Sequence, residues 1–322
     1  MPFRPTLPAL SKKVAPSARA WLARQFRDPY VKARLSFPLA YRSRSAFKLL
    51  ELDQTFHFLD APHVRTVVDL GAAPGGWSQV VSGKLGWVDW QPIGKGKGAP
   101  GAGPLEPSSG FGLKDKSKAN QEKKGAGWST DELQDEEEAY DLAALDAPER
   151  GPPRVGRGTI IAVDLLRMDP IPGVKTVQMD FLSPEAEETI TELLRNAPGG
   201  DGKADVILSD MAANFTGNPT ADNASSLQIS RSVFEFAKRH LRTWESIGRK
   251  KGGVLVLKHF VHPQSGKFRK ECLDPHFRLV KYMKPPSSRS ESAEAYWLCM
   301  GFKGVPEPEP EVELSEQSEP SS

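Results

Sequence analysis

The stretch Thr66-Val-Val-Asp-Leu-Gly-Ala-Ala-Pro-Gly-Gly-Trp77 decides the fold class. It begins as a mostly apolar segment of strand length, passes through a turn rich in glycine and proline, and leads into a helix predicted from Trp77 to about residue 85. An uninterrupted apolar run is typical of a strand buried on both faces of a parallel sheet. Glycines after such a strand permit a tight turn and let the backbone approach a ligand closely. The stretch therefore predicts the first strand, turn and helix of an α/β domain.

Apolar strands continue to alternate with amphipathic helices along the chain. Further strands are predicted at 159–164, 174–180, 204–210 and 253–258, and helices at 17–26, 44–52, 185–194 and 226–242. Residues 278–283 and 294–302 have no long helix between them and are predicted to be paired terminal strands. Strands that alternate with helices predict a parallel α/β sheet, here with a re-entrant end.

The composition excludes several classes of protein. The chain has 322 residues, a net charge of +2 and a hydrophobic fraction of 38%, which is low enough to suggest that part of its length is not core. Its two cysteines, Cys272 and Cys299, exclude a disulfide scaffold and a cysteine-rich zinc site, and no metal is expected. No apolar run approaches the about 20 residues of a membrane-spanning helix, so no membrane span is expected.

Shifts in composition divide the chain into four parts. Residues 17–304 are predicted to form one domain, interrupted by a disordered insertion at about 88–157 that contains glycine-rich runs and the acidic block Asp131-Glu-Leu-Gln-Asp-Glu-Glu-Glu. This composition cannot bury enough apolar surface to offset its ordering entropy. Residues 305–322, with Pro306-Glu-Pro-Glu-Pro, are predicted to be a disordered acidic tail, and residues 1–16 a leader.

The N-terminal segment is basic. Its first 27 residues hold six lysines and arginines and no acidic residue, and they lack the long apolar run of a secretory signal. Such leaders are typical of organelle transit peptides, so a mitochondrial matrix location is predicted. The alternative is a basic arm that binds nucleic acid or is merely solvated.

Acidic residues follow three successive strands, where a ligand of an open α/β sheet would bind. Asp164 follows the second strand, Asp180 the third and Asp210 the fourth. An acid that binds ribose hydroxyls is expected about 20 residues after the glycine loop, and Asp164 has this spacing when the insertion is left out of the count. Pro74 interrupts the glycine loop, so an adenosyl ligand without a pyrophosphate fits better than a dinucleotide. Any one aspartate alone could be a strand-end cap.

Two lysines and one glutamate complete the set of candidate residues. Lys48 lies on the helix before the sheet, Lys258 ends the fifth strand and Glu294 opens the last. A lysine at the end of a buried strand is costly unless it is paired or has a function. The alternatives are a surface lysine for Lys258 and a solvated helix face for Lys48.

Four motifs together resemble the FtsJ/RrmJ family of ribosomal RNA 2′-O-ribose methyltransferases: Arg42-Ser-Arg-Ser-Ala-Phe-Lys, Asp69-Leu-Gly-Ala-Ala-Pro-Gly-Gly-Trp-Ser-Gln, Asp164-Leu-Leu-Arg-Met-Asp-Pro and Ser209-Asp-Met-Ala-Ala-Asn. The resemblance covers about residues 17–304. It implies a Rossmann-like fold that uses S-adenosylmethionine (SAM), with seven mostly parallel strands and an antiparallel last strand. It also implies a catalytic tetrad of Lys48, Asp210, Lys258 and Glu294. Glu291 is the alternative for the last position. The SAM contacts that it implies are Gly75, Trp77, Asp164, Asp180 and Asp210.

The resemblance also implies roles and partners. Lys258 would carry the proton step or orient the attacking oxygen, Asp210 would hold Lys258 and the methyl donor, and Lys48 and Glu294 would position the nucleotide. The basic leader matches the family member that modifies mitochondrial large-subunit ribosomal RNA at a uridine, within an assembling subunit. No DNA partner is expected.

The segment before the sheet is rich in cations that are predicted to contact phosphates: Arg19, Arg24, Arg27, Lys32, Arg34, Arg42 and Arg44. Aromatic residues lie between them and could stack on bases or pack in the core: Trp21, Phe26, Tyr30 and Tyr41.

Three other functions stay open. The enzyme could act on transfer RNA or the messenger RNA cap instead. It could be a ribosome-assembly factor whose binding outweighs its catalysis. A nicotinamide oxidoreductase is the weakest alternative, because the glycine loop lacks the phosphate-binding pattern.

Overall fold

The computed structural model describes residues 28–35, 41–88, 155–198, 200–213 and 216–305. The predicted leader, the helix at 17–26, residues 89–154 of the insertion and the tail from residue 306 lie outside these residues, so the predictions about them stay predictions. At the end of the insertion, the backbone N–H of Arg157 donates to Leu85 O at 2.8 Å. Its guanidinium donates to Leu59 O, also at 2.8 Å. Arg157 is therefore held on the domain.

The helices and strands alternate as the sequence predicts. Elements are numbered here in chain order: α1 (Pro29–Leu35), α2 (Ala46–Phe56), β1 (Thr66–Leu70), α3 (Gly76–Lys84), β2 (Thr159–Asp164), β3 (Val174–Gln178), α4 (Pro184–Arg195), β4 (Val206–Ser209), α5 (Pro219–His240), α6 (Trp244–Ile247), β5 (Val254–Phe260), α7 (Pro263–Phe268), a π-helical turn (Arg269–Leu273), α8 (Asp274–His276), β6 (Phe277–Met283) and β7 (Glu294–Phe302).

The seven strands form one sheet in the order β3-β2-β1-β4-β5-β7-β6. The strands β1 to β5 pair in parallel, whereas β7 pairs antiparallel with both β5 and β6. The predicted mostly parallel sheet with an antiparallel last strand is confirmed. Because β1, β4 and β5 are parallel neighbours, their carboxyl ends meet at one edge, and the first residue of the antiparallel β7 lies at the same edge.

Helices cover both faces of the sheet. On one face, Val67 and Ile160 pack in a core cluster with Leu49 of α2 and Val80 of α3. On the other face, alternate strand residues such as Val68 and Ile161 pack with residues of α4 and α5. The burial of both faces explains why neither β1 nor β2 shows the regular alternation of apolar and polar residues that is typical of a half-buried strand.

Some elements differ from the sequence prediction. Helix α5 begins at Pro219 rather than at residue 226, because the Asn218 side chain accepts hydrogen bonds from the backbone N–H groups of Thr220 and Ala221. An asparagine cap followed by proline is a known helix-start signal that the apolar periodicity alone does not show. The short helices α1, α6, α7 and α8 were not predicted, because segments of three to seven residues carry too little periodicity. Over the described residues, no helix is long and apolar enough to span a membrane.

Candidate active site

Two lysines and two carboxylates meet at the carboxyl edge of the sheet. Lys48 lies in the first turn of α2, Asp210 follows β4, Lys258 lies near the end of β5 and Glu294 opens β7. Lys48 Nζ lies 2.8 Å from Glu294 Oε1, and Lys258 Nζ lies 3.1 Å from Asp210 Oδ1 and 3.8 Å from Glu294 Oε2. The structure thus brings together the four residues of the predicted tetrad.

The glutamate of this cluster is Glu294 rather than its rival Glu291. The Glu294 carboxylate contacts both lysines, and its side chain is only 13% exposed. Glu291 is exposed, and its carboxylate accepts a hydrogen bond from Ser290 Oγ at 3.0 Å. Glu294 therefore bridges the two amines.

Tyr296 is a member of the cluster that the sequence analysis missed. Its hydroxyl donates to Asp210 Oδ1 at 2.7 Å, and Lys48 Nζ lies 5.7 Å from the centre of its ring. The ring also packs against Trp77 at a centroid distance of 5.7 Å. Tyr296 lies two residues after Glu294 on β7, and residues two apart on a strand share a face, so this spacing could have identified it.

The charges of the cluster influence its titration. Burial would raise the pKa of Asp210, but the attraction of Lys258 and Lys48 and the hydrogen bonds from Tyr296 and Lys258 hold it below its usual value. Burial and the nearby carboxylates of Asp210 and Glu294 raise the pKa of Tyr296 well above the usual value of a phenol. Near neutral pH, Asp210 is therefore an anion and Tyr296 a neutral hydrogen-bond donor.

The glycine loop touches the segment that carries Asp210. Gly71 has φ +73°, and a Cβ built on it would lie 2.2 Å from Met211 Cγ. Gly75 has φ +108° and forms the N-cap of α3, and a Cβ on it would lie 2.8 Å from the side chain of Ile171. Only glycine fits both positions, since each combines a left-handed backbone with a close neighbour.

Trp77 contributes its backbone rather than its ring to this edge. The ring is buried in the core, and its Nε1 donates to Ser45 O at 2.9 Å. The backbone N–H groups of Gly76 and Trp77 lie in the first turn of α3, where no preceding helical carbonyl accepts them. A ligand could therefore contact the loop through Gly75 and these backbone groups.

The two other predicted acids lie along the same edge. Asp164 ends β2, and its carboxylate accepts hydrogen bonds from the backbone N–H of Ala73 and of Leu166, at 2.9 and 2.8 Å. A carboxylate has about four acceptor positions, so Asp164 keeps capacity for ligand hydroxyls. Asp180 follows β3, is exposed, and accepts from Leu182 N at 2.9 Å.

A buried carboxyl that the sequence analysis did not single out lies behind the glycine loop. Asp69 of β1 is fully buried, and Ser78 Oγ donates to its Oδ2 at 2.6 Å. Burial raises the pKa of Asp69 to about 7, although the Ser78 hydrogen bonds oppose the shift, and the charges of Asp210 and Asp164 raise it further. The carboxyl joins the end of β1 to the first turn of α3 and so fixes the loop between them.

Two of the cations predicted to contact phosphates, Arg42 and Arg44, have partners within the domain. The Arg42 guanidinium donates to Asp169 O at 2.7 Å and to Pro170 O at 2.8 Å, and so holds the segment after β2. Arg44 forms an ion pair with Asp28 and donates to Ser287 O. Tyr41 is buried in the core, so it cannot stack on a base. Of the two alternatives for Tyr41, packing in the core therefore holds. RNA contact by Arg42 and Arg44 stays a prediction. The side chains of Lys32 and Arg34 lie outside the described residues.

The edge suits an adenosyl sulfonium ligand. Gly71 and Gly75 leave room beside the loop, Asp164 offers acceptors to ribose hydroxyls, and the anion Asp210 lies where a positive charge would be stabilised. No group of three or more possible metal ligands was found in the described part of the chain.

Comparison with known proteins identifies the family. The model of the family described as FtsJ-like methyltransferase matches residues 41–99 and 149–302. The chain belongs to the FtsJ-like methyltransferase family. Ribosomal RNA large subunit methyltransferase E of Rhodopseudomonas palustris strain BisB5 is 34% identical over 92% of this chain and 90% of its own length. The protein of that name from Azorhizobium caulinodans is 32% identical over 89% of this chain and 85% of its own length.

A solved structure has the same fold. The crystal structure of a putative ribosomal RNA methyltransferase from Plasmodium falciparum matches with a TM-score of 0.51 and 22% identity, over 82% of this chain and all of the other. The predicted enzyme class is confirmed: the chain is an FtsJ-like methyltransferase, and S-adenosyl-L-methionine is the methyl donor of this family.

Proposed function

We propose that this FtsJ-like methyltransferase transfers the methyl group of SAM to a ribose 2′-hydroxyl of large-subunit ribosomal RNA. The observation that carries the proposal is the gathering of Lys48, Asp210, Lys258 and Glu294 beside the glycine loop. The relatives from Rhodopseudomonas and Azorhizobium, which carry the name ribosomal RNA large subunit methyltransferase E, support this choice of substrate.

The residues that would hold SAM lie at the carboxyl ends of β2, β3 and β4 and on the glycine loop. Asp164 would accept the ribose hydroxyls, Asp180 would meet the adenine edge, and the backbone near Gly75 and Trp77 would line the remaining surface. Bound SAM supplies an electrophilic methyl group on a sulfonium. The Asp210 carboxylate would stabilise that positive charge from the end of β4.

The tetrad would align the ribose and manage its proton. A 2′-hydroxyl is a weak acid, so a side chain must accept or direct its proton as the oxygen attacks in line. Lys258 Nζ is the group for this step: as a neutral amine it would accept the proton, and as an ammonium it would donate to the oxygen and orient a lone pair. Glu294 holds Lys48 and Lys258 on either side of its carboxylate, and Tyr296 and Lys258 fix Asp210. Both forms of Lys258 require its nitrogen beside the 2′-oxygen.

We further propose that the enzyme acts in the mitochondrial matrix, on a uridine, within an assembling large subunit. The support for the location is the basic N-terminal segment, which has no acidic residue before Asp28. The uridine and the assembling subunit rest on the family resemblance.

The proposal is tested by mapping 2′-O-methyl groups in cells with and without the protein. We expect one position of mitochondrial large-subunit ribosomal RNA to lose its methyl group and to regain it when the wild-type chain, but not a Lys258→Ala variant, is returned. Loss of methyl groups from transfer RNA or the messenger RNA cap, with ribosomal RNA unchanged, would contradict the proposal.

A further inference from the structure

A basic surface lies at the edge of the sheet opposite the tetrad. A groove of about 270 Å³ is lined by the end of α2, the loop before β5, the start of β5 and the end of β7 (Phe56, His57, Phe58, His63, Arg249, Lys250, Lys251, Val254 and Met300 among them). Four residues separate Val254 from Lys258 along β5, which is about 13 Å. Eight residues separate Lys48 from Phe56 along α2, which is about 12 Å. The groove is therefore distinct from the candidate active site.

Three neighbouring cations of this groove have no side-chain partner among the residues that the structure describes. Arg249, Lys250 and Lys251 are exposed. Across the described residues, none of their side chains forms an ion pair or a hydrogen bond, and this includes contacts with Glu245, the exposed acid on the adjacent α6. Three like charges held side by side repel one another, and an anion would relieve that repulsion.

The acids that contact Lys84 and Arg242 at this end of the domain do not line the groove. Lys84 Nζ lies 3.0 Å from Asp60, and Arg242 contacts both Asp201 and Asp205. The buried Asp205 also accepts from the backbone N–H groups of Arg65 and Thr66. No acidic side chain is among the described residues that line the groove, so its lining carries a net positive charge.

The backbone holds the basic turn in a fixed place. Gly252 N donates to Arg249 O at 2.7 Å, and Arg249 N donates to Trp244 O at 3.1 Å. A Cβ on Gly301, which has φ +73°, would lie 2.5 Å from Lys250 O, so the turn packs directly against the backbone of β7. The three cations thus project from a rigid turn, which lowers the entropy lost when a ligand orders them.

We infer that this groove is a second contact surface for the RNA substrate and binds its phosphodiester backbone. Clustered unpaired lysine and arginine are the features that bind phosphates, and the half-buried ring of Phe56 offers an apolar face to a base. The inference rests on the proposed function. It implies that a folded RNA contacts both edges of the sheet, with its target ribose at the tetrad and a more distant segment at residues 249–251.

The test compares two full-length variants that lose the same charge. The groove variant carries Arg249→Gln, Lys250→Gln and Lys251→Gln. The control carries Lys175→Gln, Arg195→Gln and Lys270→Gln, three exposed cations that do not line the groove. Binding of a labelled large-subunit ribosomal RNA transcript is measured over a range of potassium chloride concentrations. Each phosphate contact with single-stranded RNA contributes about 0.7 to the slope of log Kd against log salt.

We expect the groove variant to lose about 2 from that slope and to bind on the order of 10- to 100-fold more weakly at about 0.1 M salt. The affinity for SAM and the kcat at saturating RNA should stay at wild-type values, and the control should keep the wild-type slope. A wild-type slope in the groove variant, or an equal loss in the control, would overturn the inference.

A third measurement separates RNA from a protein partner. If the groove variant binds RNA normally but no longer sediments with large-subunit precursors, the surface binds a ribosomal protein and the inference is wrong. Failure of the proposed function would appear elsewhere, as an absence of methyl transfer by the wild-type chain, and would leave the comparison of slopes intact.

Discussion

The ion pair between Lys48 and Glu294 should stabilise the fold far more than a surface pair of the same length. Its nitrogen and oxygen lie 2.8 Å apart, with side-chain exposures of 9% and 13%. The exposed pair Lys238–Glu235 has the same 2.8 Å separation, but its exposures are 24% and 50%. Each lysine also lies near an aromatic ring, at 5.7 and 5.4 Å, so the two pairs differ mainly in burial.

The magnitude follows from the charge balance of the cluster. Two lysines and two carboxylates cancel, and Glu294→Gln leaves a buried excess of one positive charge. Loss of one partner of a buried pair costs about 3–5 kcal/mol, and the slight exposure of this pair puts our expectation near the lower value, about 3 kcal/mol. For a domain of this size, each kcal/mol lowers Tm by about 2–4 °C, so we expect a fall of roughly 6–12 °C.

A double-mutant cycle measures the pair itself. Lys48→Met, Glu294→Gln and their combination are unfolded in guanidinium chloride, beside Lys238→Met, Glu235→Gln and their combination. We expect a coupling energy above about 1.5 kcal/mol for the buried pair and below about 0.5 kcal/mol for the exposed pair. A buried pair that couples no more strongly than the exposed pair would refute the reasoning.

Three further perturbations test the loop and its acids. The folded state holds the Asp69 proton up to about pH 7, whereas the unfolded state releases it near pH 4, so the stability that this proton contributes is lost as the pH rises through this window. The stability of Asp69→Asn relative to wild type should therefore rise by up to about 4 kcal/mol between pH 4 and 7 in urea unfolding, and a flat difference would contradict the burial argument. Gly71→Ala should weaken SAM binding at least tenfold, measured by calorimetry, because the new Cβ meets Met211. Gly86→Ala is the control and should leave the affinity unchanged, because Gly86 has a similar φ of +80° but open space around it. Asp164→Asn should also weaken SAM binding by about tenfold or more, through the loss of a charged acceptor, and an unchanged Kd would remove Asp164 from the ligand site.

Residues at strand ends were predictable from the sequence. Asp164, Asp210 and Lys258 each follow or end an apolar run, and the topology of a parallel sheet brings such positions to one edge. The sheet itself was predictable for the same reason, because strands buried on both faces have a distinctive apolar pattern.

Contacts that depend on long-range pairing were not predictable from pattern alone. Arg42 donates to the backbone carbonyls of Asp169 and Pro170. Every residue has a backbone carbonyl, so the residue type does not indicate which carbonyl accepts such a hydrogen bond. The basic turn at residues 249–251 looks like an ordinary solvated loop in the sequence. Only the structure shows that, within the described part of the chain, these three cations have no ionic partner, whereas the nearby Lys84 and Arg242 do.

The most direct test of the central claim is the activity of purified Lys258→Ala with SAM and a large-subunit ribosomal RNA transcript. Lys258 Nζ has Asp210 and Glu294 as its ionic neighbours, whereas the glycine loop and Asp164, which we propose hold the cofactor, make no contact with it. We expect the variant to bind SAM with a Kd within about twofold of wild type and to lose methyl transfer by a factor of about 10² to 10⁴. Methyl transfer at the wild-type rate, with normal SAM binding, would contradict the account.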